Sequence, residues 1–282
     1  MKLLRIFVNL AVPQYLILVS LTSISAALVI NPASLPAALG KLAATIISLS
    51  FAVFGLNSFN QIFDAGIDSI SKPLRPIPSG EISVKAAYVF SLLSFFVAFL
   101  SSLSVSMLSA ELVILFILLS VAYSAPPLRL KRYGISSNII GGTLYGAIPF
   151  MSAWAVTGGA FPVNFFILFY GLAISIATLK DFEDAETEKN LGIKTLPVLL
   201  GYERARLAML LMIFSLLAFM LTTAFKFAYP TLFCFLLLYG IAKLDLKKSG
   251  NAISQSKNTT KGMIIIALME ISYGVASVLA AP

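Results

Sequence analysis

Nine apolar stretches of about 20 residues follow one another along the chain, and each is long enough to cross the hydrocarbon core of a bilayer. Their apolar residues surround each segment instead of alternating, which is typical of membrane helices and not of barrel strands. Hydrophobic residues make up 59% of the chain and charged residues 11%, whereas soluble domains are ~25% charged. The sequence therefore predicts an all-α membrane protein, one domain over residues 1–282, with nine transmembrane helices at roughly 6–28, 40–63, 84–106, 109–125, 137–156, 161–181, 205–224, 227–243 and 262–281.

The basic residues indicate how these helices are oriented. Of the 20 Lys and Arg residues, only Lys41 and Lys226 fall on one side of the predicted layout, and the other 18 fall on the side of the N-terminus. Cytoplasmic loops carry the excess of Lys and Arg in membrane proteins. We therefore expect a multi-pass protein of the cell membrane with a cytoplasmic N-terminus. No basic run carries the aromatic residues of a nucleic-acid-binding module, so no nucleic-acid partner is expected.

The amino-acid counts exclude several kinds of catalytic site. The chain has no histidine and a single cysteine, Cys234, inside an apolar stretch. Serine–histidine–aspartate triads, histidine–metal sites, internal disulfides and Cys-x-x-Cys redox sites are therefore excluded. Any metal site must use carboxylate and amide oxygens, which are the ligands that Mg²⁺ prefers.

The second and sixth predicted helices each end in an acidic segment. Both segments lie on the side of the membrane that is predicted to hold the N-terminus. Residues three or four apart share one face of a helix, so each segment presents its acidic side chains together. Like charges at this spacing repel each other, so a helix near a bilayer is expected to carry them only where a cation lies between them. The first face carries Asn60, Asp64 and Asp68, and the second carries Asp181, Asp184 and Glu188.

Basic loops lie on the same side as the acidic segments, at 71–80, 126–134 and 189–197. Carboxylates, amides and basic side chains together suit a diphosphate that is held through Mg²⁺. Such a site would neutralise a diphosphate leaving group while the apolar bundle holds a long hydrocarbon tail. A solvated helix end is the ordinary interpretation of one acidic cluster, but two clusters with matching basic loops favour the binding site. The basic loop 126–134 is equally explained as an orientation signal.

At these residues the chain resembles the UbiA superfamily of intramembrane prenyltransferases. The first motif of that family usually reads Asn-Asp-x-x-Asp-x-x-x-Asp, and here Asn60, Asp64 and Asp68 match while Gln61 stands in place of the second residue. The second family motif reads Asp-x-x-Asp-x-x-x-Asp, and here Glu188 takes the last place. The resemblance implies the family's nine-helix bundle, with a central cavity that opens to the cytoplasmic side.

Three further stretches resemble one branch of the family. They read KPLRPIPSGEIS from residue 72, LRLKRYGISSN from residue 128 and LKDFEDAETEKNLGIKTLP from residue 179. The first is similar to archaeal digeranylgeranylglyceryl phosphate synthases and also to chlorophyll synthases, and the other two are similar to the archaeal enzymes. The resemblance implies Mg²⁺-dependent transfer of a geranylgeranyl group from its diphosphate to geranylgeranylglyceryl phosphate, which forms an ether bond of an archaeal membrane lipid.

Two alternatives stay open at this point. A quinone-type, aromatic or chlorophyll-type acceptor would make the chain a different prenyltransferase. Two acidic, Pro-interrupted halves also describe a cation-coupled transporter, although transporter ion sites tend to lie near the middle of the membrane. The expected partners are an isoprenyl diphosphate, a lipid-alcohol acceptor and the bilayer, and no obligate protein partner is expected.

The site residues are predicted on this basis. Asp64, Asp68, Asp181 and Asp184 are the predicted metal ligands and catalytic residues. Tyr123 and Tyr145 are otherwise explained as interfacial anchors, and Asn138 as a helix cap. Glu270, a carboxylate inside the last helix, is left without a role. The predicted substrate-binding residues are Asn60, Lys72, Arg75, Tyr123, Lys131, Asn138, Tyr145, Lys180, Glu188 and Lys194.

Overall fold

The computed structural model describes residues 2–244, 246 and 252–281. Over this part of the chain, nine helical segments are long and apolar enough to cross a membrane, which confirms the predicted architecture. The helices are α1 (Lys2–Ala11), α2 (Pro13–Ile30), α3 (Leu35–Ser71), α4 (Val84–Leu103), α5 (Met107–Ser124), α6 (Gly134–Gly142), α7 (Ile148–Thr157), α8 (Val163–Asn190), α9 (Leu196–Leu200), α10 (Tyr202–Thr223), α11 (Ala228–Ala242) and α12 (Ala252–Leu279). A π-helical turn, Thr143–Ala147, joins α6 to α7 within one span.

Helices α3 and α8 continue well past the apolar stretches that predicted them. The stretches end near residues 63 and 181, but the helices end at Ser71 and Asn190. Helix α3 stops where Lys72 leaves the helical conformation, because the residue before a proline disfavours it. Helix α8 stops before Gly192, whose φ is +69°. Both acidic motifs are therefore held on rigid helix.

The first apolar stretch is divided into two helices at Val12. Pro13 begins α2, and Val12 adopts a left-handed conformation with φ of 51°. This conformation is an outlier for a β-branched residue and costs about 1–3 kcal/mol. Our prediction of one continuous helix from residue 6 was wrong here, because a proline disfavours helical geometry in the residue before it and supplies no N–H to the preceding turn.

Two amides of α3 compensate for this break. Pro13 has no N–H to offer the carbonyl of Asn9. Instead, the Gln61 amide nitrogen donates to the carbonyls of Asn9 (3.3 Å) and Leu10 (2.9 Å). The Asn57 amide donates to the carbonyl of Ala11 at 2.7 Å. The end of α1 is thus fixed against the helix that carries the first acidic motif.

Small and polar residues bring the other helices close together, as is usual in membrane bundles. A Cβ added at Gly141 in α6 would lie only 2.8 Å from the Cβ of Ala177 in α8. The buried Glu270 accepts a hydrogen bond from the Thr22 hydroxyl at 2.7 Å, which joins α12 to α2. This contact gives Glu270 a structural partner that its sequence neighbours did not indicate.

Candidate active site

Both acidic motifs face one pocket of about 50 Å³ at the end of the bundle where α3 and α8 finish. The two motifs are more than a hundred residues apart in sequence, so only the fold brings them together. Basic side chains from the loops after α3 and α5 complete the wall. The lining includes Asn60, Asp64, Asp68, Lys72, Arg75, Tyr123, Lys131, Ser137, Lys180, Asp181, Asp184, Glu188 and Ile193.

Asp64 is surrounded by cations from the turn between α5 and α6. Its Oδ1 accepts hydrogen bonds from the Lys131 ammonium and, at 3.1 Å, from the Arg129 guanidinium. Lys131 also donates to the Asn60 side-chain oxygen at 3.1 Å. Burial lowers the pKa of Lys131, and the carboxylate of Asp64 offsets this only in part. The basic loop 126–134 therefore places two of its side chains, Arg129 and Lys131, against the first motif.

Asp68, one turn further along α3, pairs with Arg75 in the following loop. The Arg75 Nη1 lies 2.6 Å from the Asp68 Oδ2. Burial by itself would lower the pKa of Arg75, but Asp68, and more weakly Asp184 and Asp64, outweigh it and raise that pKa. The guanidinium is therefore charged at any physiological pH. Carboxylates of both motifs thus act electrostatically on the Arg75 guanidinium.

In the second motif, Asp181 and Asp184 have different partners. Asp181 Oδ2 accepts a hydrogen bond from the Asn138 amide of α6 at 2.8 Å. Asp184 Oδ1 lies 2.6 Å from the Lys72 ammonium, which comes from the end of α3. Lys72 is also 3.6 Å from Glu183. It therefore connects the ends of the two motif helices across the pocket.

Glu188 and its neighbours show which side chains of the loop after α8 face inward. Glu188 accepts a hydrogen bond from the Thr195 hydroxyl at 2.8 Å. Ile193 lines the pocket and Thr195 is buried, whereas Lys194 between them is exposed. Alternate residues of an extended segment point to opposite sides. The structure therefore does not bring Lys194 into the pocket that contains the other predicted cations.

The donor set of this pocket fits a Mg²⁺ ion that the protein and the substrate bind together. Among the described residues, no three acidic side chains lie close enough together to form a metal cage. Mg²⁺, however, is usually held by one or two carboxylates together with substrate phosphates and water. The carboxylates of both motifs and the Asn60 oxygen surround a single pocket and can supply ligands of that kind.

Beneath this pocket lies a second, largely apolar cavity of about 20 Å³. Tyr123, Ser137 and Lys180 line both, so the two are neighbours. Tyr145, from the π-helical turn, lines only the deeper one, and its ring stacks on that of Tyr15 with centroids 5.0 Å apart. The predicted role of Tyr145 as a direct substrate contact thus applies to the deeper cavity.

Three residues of this region were not among the predicted site residues. Arg129 lay in the basic loop 126–134, for which orientation and binding were equally good interpretations, and no pattern singled out Tyr15, which lies on a different helix from both motifs. Gln61 had a signal, namely an amide where the resembling family has an acid. Its side chain turns to α1 and not to the pocket, because its donor N–H groups satisfy carbonyls there.

Replacing Gln61 with alanine is therefore expected to destabilise the protein without changing its requirement for Mg²⁺. Two helix-end carbonyls lose their donor, at a cost of about 1–3 kcal/mol. Thermal unfolding in detergent should occur at a lower temperature, while the Mg²⁺ concentration that gives half-maximal activity stays the same. A shifted Mg²⁺ requirement in a variant of normal stability would contradict this orientation of Gln61.

Relatives of known name match this chain over much of its length. Digeranylgeranylglyceryl phosphate synthase of Haloquadratum walsbyi is 34% identical over 165 residues, which are 57% of this chain and 55% of that protein. Chloroplastic chlorophyll synthase of Arabidopsis thaliana is 34% identical over 158 residues, 53% of this chain and 41% of that protein. The match thus spans about half of these two relatives. A synthase of the first kind from Methanococcus maripaludis is 27% identical over 235 residues, 80% of this chain and 83% of that protein.

Solved structures show the same fold. A structure described as digeranylgeranylglyceryl phosphate synthase in membranes has a TM-score of 0.73 at 22% identity, covering 99% of this chain and 100% of that one. A UbiA homolog from Archaeoglobus fulgidus bound to DMAPP and Mg²⁺ has a TM-score of 0.72 at 20% identity, covering 98% and 99%. Since the UbiA prenyltransferase family itself matches residues 18–260, the chain belongs to that family.

Proposed function

We propose that this prenyltransferase transfers a geranylgeranyl group from geranylgeranyl diphosphate to geranylgeranylglyceryl phosphate and so forms an ether bond of a membrane lipid. The observation that carries the proposal is the meeting of two acidic motifs and several basic side chains in one pocket above an apolar cavity. The relatives named digeranylgeranylglyceryl phosphate synthase support this acceptor. The similarity to chlorophyll synthase supports a second candidate, in which the acceptor is a chlorophyll precursor.

In this proposal the diphosphate of the donor occupies the upper pocket, which is the one that both acidic motifs line. Lys131, Arg75 and Lys180 bind its oxygens, with Lys72 reaching it from the end of α3. Mg²⁺ in this pocket would take one or two of its ligands from the carboxylates of Asp64, Asp68, Asp181 and Asp184, with phosphate oxygens and water as the others. It would supply positive charge that neutralises the diphosphate as a leaving group. Asn60 and Glu188 support these ligands, and Asn138 holds Asp181 in place.

The acceptor hydroxyl attacks the allylic carbon, and its proton must be taken up within the same pocket. Because the chain has no histidine, we assign this proton either to the departing diphosphate or to a carboxylate such as Asp68 or Asp184. Tyr123, Tyr145 and the apolar cavity shield the allylic cation from water. The alcohol is a weak nucleophile, so formation of the cation precedes or dominates its attack.

The pocket lies at the basic end of the bundle, and we assign that end and the N-terminus to the cytoplasmic side of the cell membrane. The distribution of Lys and Arg supports this orientation. Mg²⁺ and the diphosphate head group of the donor then reach the pocket from the cytoplasmic side, while the hydrocarbon tails of donor and acceptor stay in the membrane. An accessibility assay on cysteines placed in the loop at 71–80, in sealed vesicles of known orientation, tests the assignment.

Purified protein in liposomes, supplied with labelled geranylgeranyl diphosphate, tests the function. We expect labelled ether lipid with geranylgeranylglyceryl phosphate, release of one diphosphate per product, and loss of both when EDTA removes Mg²⁺. A chlorophyllide and an aromatic acid serve as alternative acceptors in parallel reactions. Product with chlorophyllide alone would replace the acceptor that we propose. Cation flux without any prenyl product would contradict the whole proposal and favour a transporter.

A further inference from the structure

The apolar cavity lies one helical turn deeper in the membrane than the diphosphate pocket. On α3, Leu56 lines the cavity and Asn60 lines the pocket above it. On α8, Ile176 lines only the cavity, and Lys180, one turn away, lines both the cavity and the pocket. Four residues of helix correspond to about 6 Å. A prenyl chain whose diphosphate binds above must therefore enter this cavity first.

Two stacked tyrosines line the cavity, and Tyr145 lies two turns further along the α6–α7 span than Ser137, which lines both the cavity and the pocket. The rings of Tyr15 and Tyr145 are 5.0 Å apart with an interplanar angle of 24°, and both residues are buried. The cavity that they line is about 20 Å³, which is room for about one water molecule. A chain of four isoprene units cannot lie in that space. The stack must therefore open before a long chain can continue into the bundle.

Both tyrosines are attached to irregular backbone. Tyr15 follows the left-handed Val12 by three residues and bonds through its N–H to the Val12 carbonyl at 3.2 Å. Tyr145 lies in the π-helical turn Thr143–Ala147. Such turns occur frequently at functional sites and interrupt the regular hydrogen bonding of a helix. The two rings are thus held at the points of α2 and of the α6–α7 span where regular helix is already interrupted.

Lys180 connects this stack to the diphosphate pocket. Its ammonium lies 5.7 Å from the centre of the Tyr15 ring, within the range of a cation–π contact. Lys180 also lines the upper pocket. A diphosphate attracts the ammonium more strongly than a ring does, so donor binding removes one of the contacts that hold Tyr15.

We propose that Tyr15 and Tyr145 form a gate that determines how long a prenyl donor this enzyme accepts, and that Lys180 couples the gate to the diphosphate. This inference rests on the proposed function, because it assumes a prenyl diphosphate in the upper pocket. It gives Tyr15 a role in donor specificity. It also gives a reason for the contact between Lys180 of α8 and Tyr15 of α2.

The test compares dimethylallyl diphosphate, whose chain is one isoprene unit, with geranylgeranyl diphosphate. The quantity measured is the ratio of kcat/KM for the long donor to kcat/KM for the short one, so that any general loss of activity cancels. Tyr15→Leu removes one ring of the stack, and we expect the ratio to rise roughly three- to tenfold. Tyr15→Trp enlarges the obstacle and is expected to lower it.

Two controls separate the gate from other effects. Tyr15→Phe keeps the stacked ring and should leave the ratio within about twofold of the wild-type value. Tyr239→Leu removes a second tyrosine with a lysine over its ring, Lys243 at 5.2 Å. Tyr239 is exposed on α11, so this variant should leave the ratio unchanged as well.

The possible outcomes distinguish the gate from the function beneath it. If the wild-type protein uses neither donor, the proposed function fails. If it uses both but Tyr15→Leu leaves the ratio unchanged or lowers it, the gate is wrong and the function stands. Should Tyr15→Leu fail to fold, Tyr145→Leu must produce the same rise, and Tyr15→Trp must still lower the ratio.

Discussion

Alanine in place of Asp64 or Asp181 is expected to reduce prenyl transfer at least about a hundredfold while the protein still folds. Each residue belongs to a different motif, and both face the same pocket. In the proposed site, either change removes an oxygen ligand for Mg²⁺ at the diphosphate. At Asp64 the change also leaves Arg129 and Lys131 without their carboxylate. Initial rates with labelled geranylgeranyl diphosphate at saturating Mg²⁺ measure the effect.

The matched control is Glu111→Ala, because Glu111 is an exposed carboxylate on α5 that does not line the pocket. We expect this variant to retain nearly normal turnover. Thermal unfolding and size-exclusion profiles show whether each variant is folded. A folded Asp64→Ala or Asp181→Ala protein with nearly normal turnover would remove that aspartate from the metal site, and such a result for both variants would remove the main support for the proposed mechanism.

Removing the guanidinium of Arg75 is expected to have the second-largest effect. Arg75→Ala should lower kcat/KM for the donor at least about thirtyfold, because truncating one member of a partly buried ion pair costs about 2–5 kcal/mol in a binding site. In the proposed site the loss arises in two ways: the diphosphate loses a ligand, and Asp68 loses the cation that compensates its charge. Steady-state kinetics over a range of donor concentrations separate the change in KM from that in kcat.

Arg206→Ala is the comparison for this prediction. Arg206 pairs with Glu203 at 3.0 Å on α10, where the Glu203 side chain is exposed and the Arg206 side chain is partly exposed. Exposed pairs of this kind contribute about 0–1 kcal/mol, so the control should change kcat/KM by less than about fivefold. Equal losses in Arg75→Ala and Arg206→Ala would mean that Arg75 acts through general charge and not through the pocket.

Much of the site could be predicted from local rules. The spacing of Asn60, Asp64 and Asp68 requires one helical face, and the structure brings that face to the pocket. The apolar stretches predicted the helices, and the charge distribution placed both motifs on one side. These are properties of one helix at a time, or of the layer of loops, and they do not depend on how helices pack.

The choice of partners could not be predicted in this way. Lys72 follows the first motif in sequence but pairs with Asp184 of the second, and Arg129 pairs with Asp64 from a loop more than sixty residues away. Gln61 is next to Asn60 in sequence, yet the two side chains point to different neighbours. Such pairings depend on the packing of several helices, so one sequence does not determine them by pattern alone.

The ion pairs between the motifs and the loops imply that substrate uptake is an exchange of partners. Bare Mg²⁺ would have to displace Lys72, Lys131 or Arg75 from a carboxylate, and a bare diphosphate would have to draw these cations away and leave the carboxylates repelling one another. When both arrive together, every charge that loses a partner gains another. Metal and donor should therefore bind with positive cooperativity.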